Sequence, residues 1–336
     1  MTKPNDPRYR AALDWAIRCT GWNRARLEPA STDASFRRYF RLQQDGHDSL
    51  IVMDAPPGRE PLAPFLDIGA RLLEAGLHAP QVLDVDESAG FVLLEDLGCS
   101  PYHRVLDEHN ADQLFTDALD ALVRMQTACR TDGLGAYDAA RLRTELDLFV
   151  DWFLGRHWRV EPTVAELQDW DALCDCLILT MTGQPQVFCH RDFMPRNLMY
   201  CEPNPGIIDF QDALLGPLAY DAVCLFRDAF LSWPPARVEG WLEDYRRRAL
   251  EAGLPVPGDP GAWRRLCDLT GVQRHLKVLG IFARIRYRDG KPAYLEDAPR
   301  FFAYLAQARR NYPETAVLGG LLESWRGRAR TEATGV

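Results

Sequence analysis

The chain has 336 residues, of which 47% are hydrophobic and 26% are charged, and these proportions exclude a disordered or fibrous protein. Its formal net charge of −9 argues against nonspecific nucleic-acid binding, because phosphates attract an excess of Lys and Arg. No apolar run approaches the roughly 18 residues of a membrane-spanning helix, so we expect two lobes that act without nucleic acid or membrane.

The first residues predict a helix and then a β-hairpin. Asp6 and Pro7 favour a helix start, because Asp caps the first turn and Pro suits the first helical position. No apolar signal segment precedes this helix, so we expect the chain to stay in the cytoplasm. Residues 36–42 and 49–53 alternate in polarity around the turn Asp45-Gly46, which predicts two antiparallel strands.

A second helix and two more strands complete the β-rich part of the chain. Apolar periodicity predicts the helix over residues 61–74, and short apolar stretches predict strands over 81–85 and 91–94. Residues 95–98 then break the pattern. We interpret this break as a hinge.

Beyond the hinge the pattern is mostly helical. Helices are predicted over residues 111–129, 141–158 and 163–182, and short strands over 187–189, 198–200 and 206–209. The region over about 219–328 is predicted to be helical again, with interruptions at Pro234-Pro235 and Pro255–Pro260. The order therefore predicts a β-rich lobe, a hinge and a larger helical lobe that contains a short β patch.

Nine cysteines are scattered along the chain, and only Cys174 and Cys176 lie close together. A single intervening residue is poor spacing for a zinc site. We therefore expect free, buried thiols in a reducing compartment, and any metal to be held by oxygen ligands.

The most informative motif begins at His190-Arg191-Asp192 and continues to Asn197, with Asp209 ending the next apolar strand. Transfer of a γ-phosphoryl group needs a carboxylate that takes the acceptor proton and oxygen ligands that hold Mg²⁺ against the phosphates. Asp192 fits the first role, and Asn197 and Asp209 fit the second. We expect His190 to support the loop through its imidazole.

Arg196 follows Asp192 by four residues. Its guanidinium suits contact with the transferring phosphoryl group, and a role in supporting the loop fits the pattern equally well.

The loop, the strand Ile207-Ile208-Asp209-Phe210, the β-rich lobe and the hinge together resemble the aminoglycoside phosphotransferase and choline kinase superfamily, over about residues 10–330. The resemblance implies an α+β, two-lobed, protein-kinase-like fold. Its small N-lobe, with an antiparallel sheet, would cover residues 1–97, and its mostly helical C-lobe, with the catalytic loop and acceptor site, residues 98–336.

The same resemblance implies roles for individual residues. Asp192 would be the catalytic base, Asn197 and Asp209 the Mg²⁺ ligands, and the backbone of Glu95–Leu97 the partner of the ATP adenine. Asp221 would have a structural role, its carboxylate accepting backbone N–H groups and supporting the catalytic loop.

Two features depart from the protein-kinase pattern. Protein kinases have glycines over the phosphates, whereas this chain has a polar stretch that includes Ser31, Thr32 and Ser35. This stretch either binds phosphate or only begins the hairpin. Where kinases place a lysine, this chain has Met53 or Asp54. Arg37 and Arg41 are our candidates for the missing cation, and a solvated sheet face is the alternative for both.

The missing lysine opens an alternative, a non-catalytic nucleotide-binding pseudokinase. Retention of the base and both metal ligands favours an enzyme. A protein kinase is disfavoured, because Gln211 stands where a glycine is expected and no Ala-Pro-Glu segment follows. The predicted acceptor is therefore a small molecule, and no obligate protein partner is evident.

The acceptor site is expected on the helical lobe. Glu145 and Trp152 lie on the helix over 141–158, where a carboxylate and an aromatic ring suit a cation or a sugar face. Residues 270–292 contain six basic residues and one acidic residue, which favours an anionic or strongly polar acceptor over an aminoglycoside or choline; a solvated basic face is the alternative.

Residues 35–41, 51–56, 94–98 and 273–280 resemble the bacterial kinases that phosphorylate N-acetylmuramate and N-acetylglucosamine at the anomeric carbon during cell-wall recycling. The resemblance implies ATP-dependent phosphorylation of the C1 hydroxyl, toward UDP-N-acetylmuramate. It also implies that a methionine such as Met53 is usual at the kinase lysine position in this group. Arg274 or Lys277 would then bind the lactyl carboxylate. Kinases of aminoglycosides, choline or homoserine remain alternatives.

Overall fold

The structure, a computed structural model, describes residues 6–30 and 37–333. The strands are β1 (Arg26–Pro29), β2 (Arg38–Gln43), β3 (Leu50–Asp54), β4 (Val82–Asp86), β5 (Phe91–Glu95), β6 (Gln186–Cys189), β7 (Leu198–Met199), β8 (Gly206–Ile207) and β9 (Leu214–Pro217). The α-helices are α1 (Pro7–Thr20), α2 (Ala63–Glu74), α3 (Tyr102–Val105), α4 (Ala111–Ala128), α5 (Ala139–Leu148), α6 (Val164–Thr182), α7 (Tyr220–Phe226), α8 (Pro235–Glu251), α9 (Pro260–Asp289), α10 (Ala298–Asn311) and α11 (Ala316–Ala333). Phe149–Trp158 is a π-helix, and Pro195–Asn197 is a 3₁₀ turn.

The chain divides into two compact units. The first unit is Met1–Arg130 with Arg196–Asp212, and the second is Thr131–Pro195 with Ala213–Val336. This division differs from the predicted boundary between residues 97 and 98, because α3, α4 and the β7–β8 pair belong to the first unit. The predicted lobes, residues 1–97 for covering the nucleotide and residues 98–336 for the catalytic loop and acceptor, stay a prediction. The division into compact units does not show which residues bind the nucleotide.

The first unit is built on a five-stranded antiparallel sheet with the order β1-β2-β3-β5-β4. The predicted hairpin is the β2–β3 pair, in which Leu42 lies opposite Leu50. Helix α1 covers one face of the sheet, where Trp15 contacts Phe91 with ring centroids 5.7 Å apart. Asp6 caps this helix by accepting from the backbone N–H of Arg8. The predicted helix start and hairpin are confirmed.

The second unit is organised around α9, a 30-residue helix. Its core collects apolar side chains from α5, α6, α9, α10, α11 and the π-helix. The helix predicted over residues 141–158 is wrong in detail, because α5 ends at Leu148 and the π-helix follows. Strand β9, which pairs antiparallel with β6, was not predicted.

Gly280 explains how closely α9 approaches the junction between α5 and the π-helix. A Cβ atom at this position would lie 2.6 Å from the carbonyl O of Leu148 and 2.6 Å from the backbone N of Phe149. Real Cβ atoms do not approach backbone that closely, so only glycine permits this contact.

We expect Gly280→Ala to lower the free energy of unfolding by about 1–3 kcal/mol, because the added methyl group overpacks the contact. Gly240→Ala in α8 is the control, since no atom beyond its chain neighbours and the backbone of its own helix lies within 4 Å of its Cβ position; alanine there should raise stability by about 0.5–1 kcal/mol. Equilibrium unfolding in urea measures both. Equal effects of the two substitutions would contradict the close approach at Gly280.

Candidate active site

A buried carboxylate fixes the backbone of the loop that follows β6. Asp221, in the first turn of α7, accepts hydrogen bonds from the backbone N–H of His190 (2.7 Å) and of Arg191 (2.9 Å). Cys224 donates from its Sγ to the carbonyl O of Arg191 (3.3 Å). Burial raises the pKa of Asp221, and the interactions with His190 and the two N–H groups oppose that rise. The role of Asp221 in supporting the catalytic loop stays a prediction, and these contacts are consistent with it.

The loop turns sharply just before Asp192. Arg191 has φ +74°, in the left-handed region that costs a non-glycine residue free energy. The buried imidazole of His190 accepts from the backbone N–H of Asp192 at Nδ1 (3.3 Å). His190 therefore contacts the loop itself, and its supporting role in catalysis stays a prediction.

Glu145 lies in a buried cluster of charged and polar side chains in the second unit. Its Oε1 forms ion pairs with Arg191 Nη2 (2.6 Å) and Lys277 Nζ (3.0 Å). Its Oε2 accepts from the hydroxyl of Tyr137 and from Gln273 Nε2 (3.2 Å). Burial raises the pKa of Glu145, but Lys277 and Arg191 outweigh it, so the pKa is lowered and the carboxylate is ionised.

This placement differs from the sequence-based expectation for Glu145 and Lys277. Both side chains are buried and paired with each other, whereas the sequence assigned them to the acceptor site. Contact with an acceptor would require these ion pairs to open, and it stays a prediction.

Arg274 is also buried, and its guanidinium contacts two sulfur atoms. Its Nε donates to Cys224 Sγ (2.9 Å), its Nη1 donates to the carbonyl O of Arg227 (3.2 Å), and its Nη2 lies 3.9 Å from Met194 Sδ. Trp152 is half-buried and packs against the core of the second unit. Acceptor binding by Arg274 and Trp152 stays a prediction.

In the first unit, two short strands bring Asn197 and Asp209 together. In the β7–β8 pair Leu198 lies opposite Ile207, and the backbone N–H of Ile208 donates to the carbonyl O of Asn197 (3.0 Å). Asn197 Nδ2 in turn lies 3.4 Å from Asp209 Oδ2, and Asp209 has φ +62°. The two residues expected to bind Mg²⁺ are therefore neighbours.

Gln211 is a third polar residue at this point. Its Nε2 donates to Asp209 Oδ1 (2.9 Å), whereas its Oε1 is buried and has no hydrogen-bond partner among residues 6–30 and 37–333. A buried amide oxygen without a donor suits a cation. The oxygen-rich set Asn197, Asp209 and Gln211 therefore fits Mg²⁺, and no cluster of three His, Cys, Asp or Glu suited to a metal exists within the described residues.

The predicted hinge is fixed by Asp96. Its carboxylate accepts from Arg41 Nη2 (2.9 Å), Ser49 Oγ (2.6 Å) and the backbone N–H of Gly98 (2.9 Å). Burial raises the pKa of Asp96, but these donors outweigh it and lower the pKa. The flanking Glu95 contacts His78 Nε2 (3.2 Å), and Leu97 is buried.

The candidates for the missing kinase lysine are engaged by carboxylates. Arg41 is held by Asp96, and Arg37 Nε pairs with Glu60 (2.9 Å). Met53 is buried, and the buried carboxylate of Asp54 pairs with Arg8 and Arg38. Phosphate binding by Arg37 or Arg41 stays a prediction that requires one of these pairs to break.

Two further expectations concern the phosphates. Arg196 is half-buried in the 3₁₀ turn, and its contact with the transferring group stays a prediction. Ser31, Thr32 and Ser35 lie outside the described residues.

Sequence reasoning missed several residues that the structure places at these sites. Gln211 lies two residues after Asp209, and Asp96 lies one residue after Glu95. Their roles could therefore have been predicted from their proximity to the motifs. Tyr137, Tyr220 and Gln273 come from separate helices and loops, and no local pattern connects them with Glu145.

Comparisons with known proteins identify the family of the chain. The model of the phosphotransferase enzyme family (APH) matches residues 26–266. The N-acetylmuramate/N-acetylglucosamine kinase of Pseudomonas aeruginosa is 51% identical over 95% of this chain and 97% of its own length. The kinase of the same name from Caulobacter vibrioides is 31% identical over 86% of this chain and 89% of its own.

Solved structures show the same fold. The ADP-bound aminoglycoside phosphotransferase APH(2'')-Ib has a TM-score of 0.59 at 15% identity, covering 89% of this chain and 98% of its own. A choline kinase from Cryptosporidium parvum has a TM-score of 0.63 at 12% identity, covering 94% and 99%. At such identities the likeness shows the fold alone.

The chain therefore belongs to the phosphotransferase enzyme family. Within that family, its similarity is to proteins named N-acetylmuramate/N-acetylglucosamine kinase. The predicted family, the α+β kinase-like fold with an antiparallel N-terminal sheet and the predicted enzyme class are confirmed. Across the part of the chain that the structure describes, no helix combines the length and apolarity needed to cross a membrane.

We expect Arg41→Met and Asp96→Asn each to lower the free energy of unfolding by about 1.5–3 kcal/mol, because each removes a partly buried, charge-assisted hydrogen bond. The double variant should lose less than the sum of the two single losses, since either change already breaks the ion pair between Arg41 and Asp96. Equilibrium unfolding measures all three. Additive losses would show that the two side chains act independently.

The same pair predicts a pH dependence. Because the folded-state pKa of Asp96 is lowered, its stabilising contribution exists above the ordinary carboxyl value of 3.8 and is lost as the pH falls through the folded-state value. The stability difference between wild type and Asp96→Asn should therefore shrink in acid. A difference that stays constant there would contradict the ion pair.

Proposed function

We propose that this protein is an ATP- and Mg²⁺-dependent kinase that phosphorylates the anomeric C1 hydroxyl of N-acetylmuramate and N-acetylglucosamine. The observation that supports this acceptor best is the 51% identity, over 95% of the chain, with a kinase of that name. Retention of Asp192, Asn197 and Asp209 supports catalysis over nucleotide binding alone.

The proposed reaction assigns the base to Asp192. The C1 oxygen attacks the γ-phosphorus, Asp192 takes the hydroxyl proton, and the bond from the γ-phosphorus to the bridging oxygen of ADP breaks. The products are the sugar α-1-phosphate and ADP. An anomeric hydroxyl is more acidic than an ordinary alcohol, so a carboxylate is a suitable base.

Other residues bind and orient the nucleotide in this proposal. Asn197 and Asp209, together with the amide oxygen of Gln211, would hold Mg²⁺, which when bound neutralises charge on the phosphates. The backbone of Glu95–Leu97 would pair with adenine, and Arg196 would contact the transferring group. The proposal requires these residues and Asp192 to act on one ATP molecule.

The acceptor assignment is consistent with the charge of residues 270–292, most of which belong to α9. N-acetylmuramate has a lactyl carboxylate, and residues 270–292 contain six basic residues and one acidic residue. Arg274 and Lys277 are our candidates for that carboxylate, and Trp152 for the sugar face. Both candidate cations are buried, so binding the carboxylate would involve a rearrangement at α9.

A panel of acceptors with ATP and Mg²⁺ tests this function. We expect N-acetylmuramate and N-acetylglucosamine to be phosphorylated, with phosphorus NMR placing the phosphate on the anomeric oxygen, and choline, homoserine and kanamycin to remain unmodified. Transfer to one of the other three alone would replace the proposed acceptor. ATP binding without transfer to any of the five would favour the non-catalytic alternative.

Two variants in the same assay separate the base from the metal ligands. Asp192→Asn should lower kcat by about 10²–10⁴ and leave ATP affinity unchanged, because it removes only the proton acceptor. Asp209→Ala should abolish the Mg²⁺-dependent part of the ATP affinity. Unchanged turnover in the first variant or retained Mg²⁺ dependence in the second would overturn the corresponding assignment.

A further inference from the structure

The ion pairs that join Glu145, Arg191 and Lys277 in a buried cluster are not used in the reaction described above, where Lys277 appears only as a candidate for the lactyl carboxylate. We propose that Glu145 of α5 and Lys277 of α9 are positioning residues, which hold the side chain of Arg191 and thereby set the orientation of Asp192. The proposal rests on the proposed function for its effect on turnover. The contacts that support it all lie within the second unit.

Arg191 is held from both its backbone and its side chain. Asp221 accepts from its backbone N–H, Cys224 donates to its carbonyl O, and Glu145 binds its guanidinium at 2.6 Å. The residue nevertheless has φ +74°. A non-glycine residue persists in that conformation only where its surroundings over-determine it. The ion pair with Glu145 supplies the side-chain part of that constraint.

The cluster is built so that Glu145 cannot easily release Arg191. Two cations and two further donors converge on its carboxylate, and all of these side chains are largely enclosed. Lys277 also donates to the hydroxyl of Tyr220 (3.1 Å), the residue immediately before Asp221. Side chains of α5, α7 and α9 therefore contact the loop that contains Arg191, either directly or through one another. Loss of one partner leaves a buried charge uncompensated, which favours the paired state strongly.

A purely structural role for the cluster would not need Arg191. Glu145 and Lys277 already connect α5 with α9 directly. The third member of the cluster, Arg191, is the residue next to Asp192. A change in the backbone angles of Arg191 therefore moves the proposed base. Displacement of a catalytic group by about 1 Å lowers turnover by about 10²-fold.

The variant Glu145→Gln tests the proposal, because it keeps the shape of the side chain and removes its charge. Asp268→Asn is the matched control: Asp268 is a buried carboxylate of α9 that pairs with Arg227. Hydrogen–deuterium exchange of a peptide covering residues 189–195 is the first readout. We expect exchange there to be about tenfold faster in Glu145→Gln, because the loop opens locally, and unchanged in the control. Exchange unchanged in both variants would overturn the proposal.

Turnover is the second readout. Glu145→Gln should lower kcat by about 10²-fold with little change in the KM for ATP, since the base is misplaced while nucleotide binding is kept. Asp268→Asn should lose thermal stability and keep its kcat. A Glu145→Gln enzyme that loses stability and keeps its kcat would assign the cluster to stability alone.

A double-mutant cycle shows whether Glu145 acts through Arg191. If it does, Glu145→Gln combined with Arg191→Met should have the kcat of Arg191→Met alone. Multiplied losses would show separate actions and overturn the proposal.

Tyr137→Phe covers the case in which Glu145→Gln does not fold. It leaves every charge in place and removes the hydroxyl that donates to Glu145 and also contacts Tyr220 and Lys277. Faster exchange of residues 189–195 then supports the proposal, and unchanged exchange overturns it. If the wild-type enzyme phosphorylates none of the sugars, the proposed function fails, whereas the exchange measurements still decide the positioning role.

Discussion

Asp221 is fully buried, and each of its carboxylate oxygens accepts a backbone N–H from the loop that leads to Asp192. A buried carboxylate is unfavourable unless hydrogen bonds satisfy it. The loop conformation that presents two successive N–H groups to Asp221 is therefore stabilised over the alternatives, even though it places Arg191 in the left-handed region. This constraint fixes the backbone of the two residues immediately before Asp192.

Carboxylates with several donors also occur at other predicted site positions, within each of the two units. Asp96 accepts hydrogen bonds from Arg41, Ser49 and Gly98 at the predicted hinge. Glu145 pairs with two cations. Asp209 is contacted by Asn197 and Gln211. In the first two cases the donors already satisfy the carboxylate. Among residues 6–30 and 37–333, a buried amide oxygen without a donor lies beside Asp209, on Gln211, and beside Glu145, on Gln273. Glu145 already pairs with two cations, so the position at Asp209 is the one that suits a further cation.

The sequence predicted the features that depend on neighbouring residues. The cap at Asp6, the β2–β3 hairpin and the motif around Asp192 and Asn197 are local patterns, and the catalytic motif also indicated the family. Pairings between distant segments were not predictable in this way. The π-helix begins where Gly280 approaches Leu148, β9 pairs with β6, and Arg41 pairs with Asp96. Glu145 and Lys277 were assigned to the acceptor because composition identifies charges without identifying their partners.

The turnover of Asp221→Asn tests most directly whether this buried carboxylate sets the catalytic loop. An asparagine keeps one acceptor oxygen and turns an NH₂ group toward the second backbone N–H, so one of the two hydrogen bonds is lost. We expect a folded enzyme with kcat lowered by about 10²-fold and a nearly unchanged KM for ATP, because the loop is displaced while nucleotide binding persists. A folded variant with wild-type kcat would contradict the central role of Asp221.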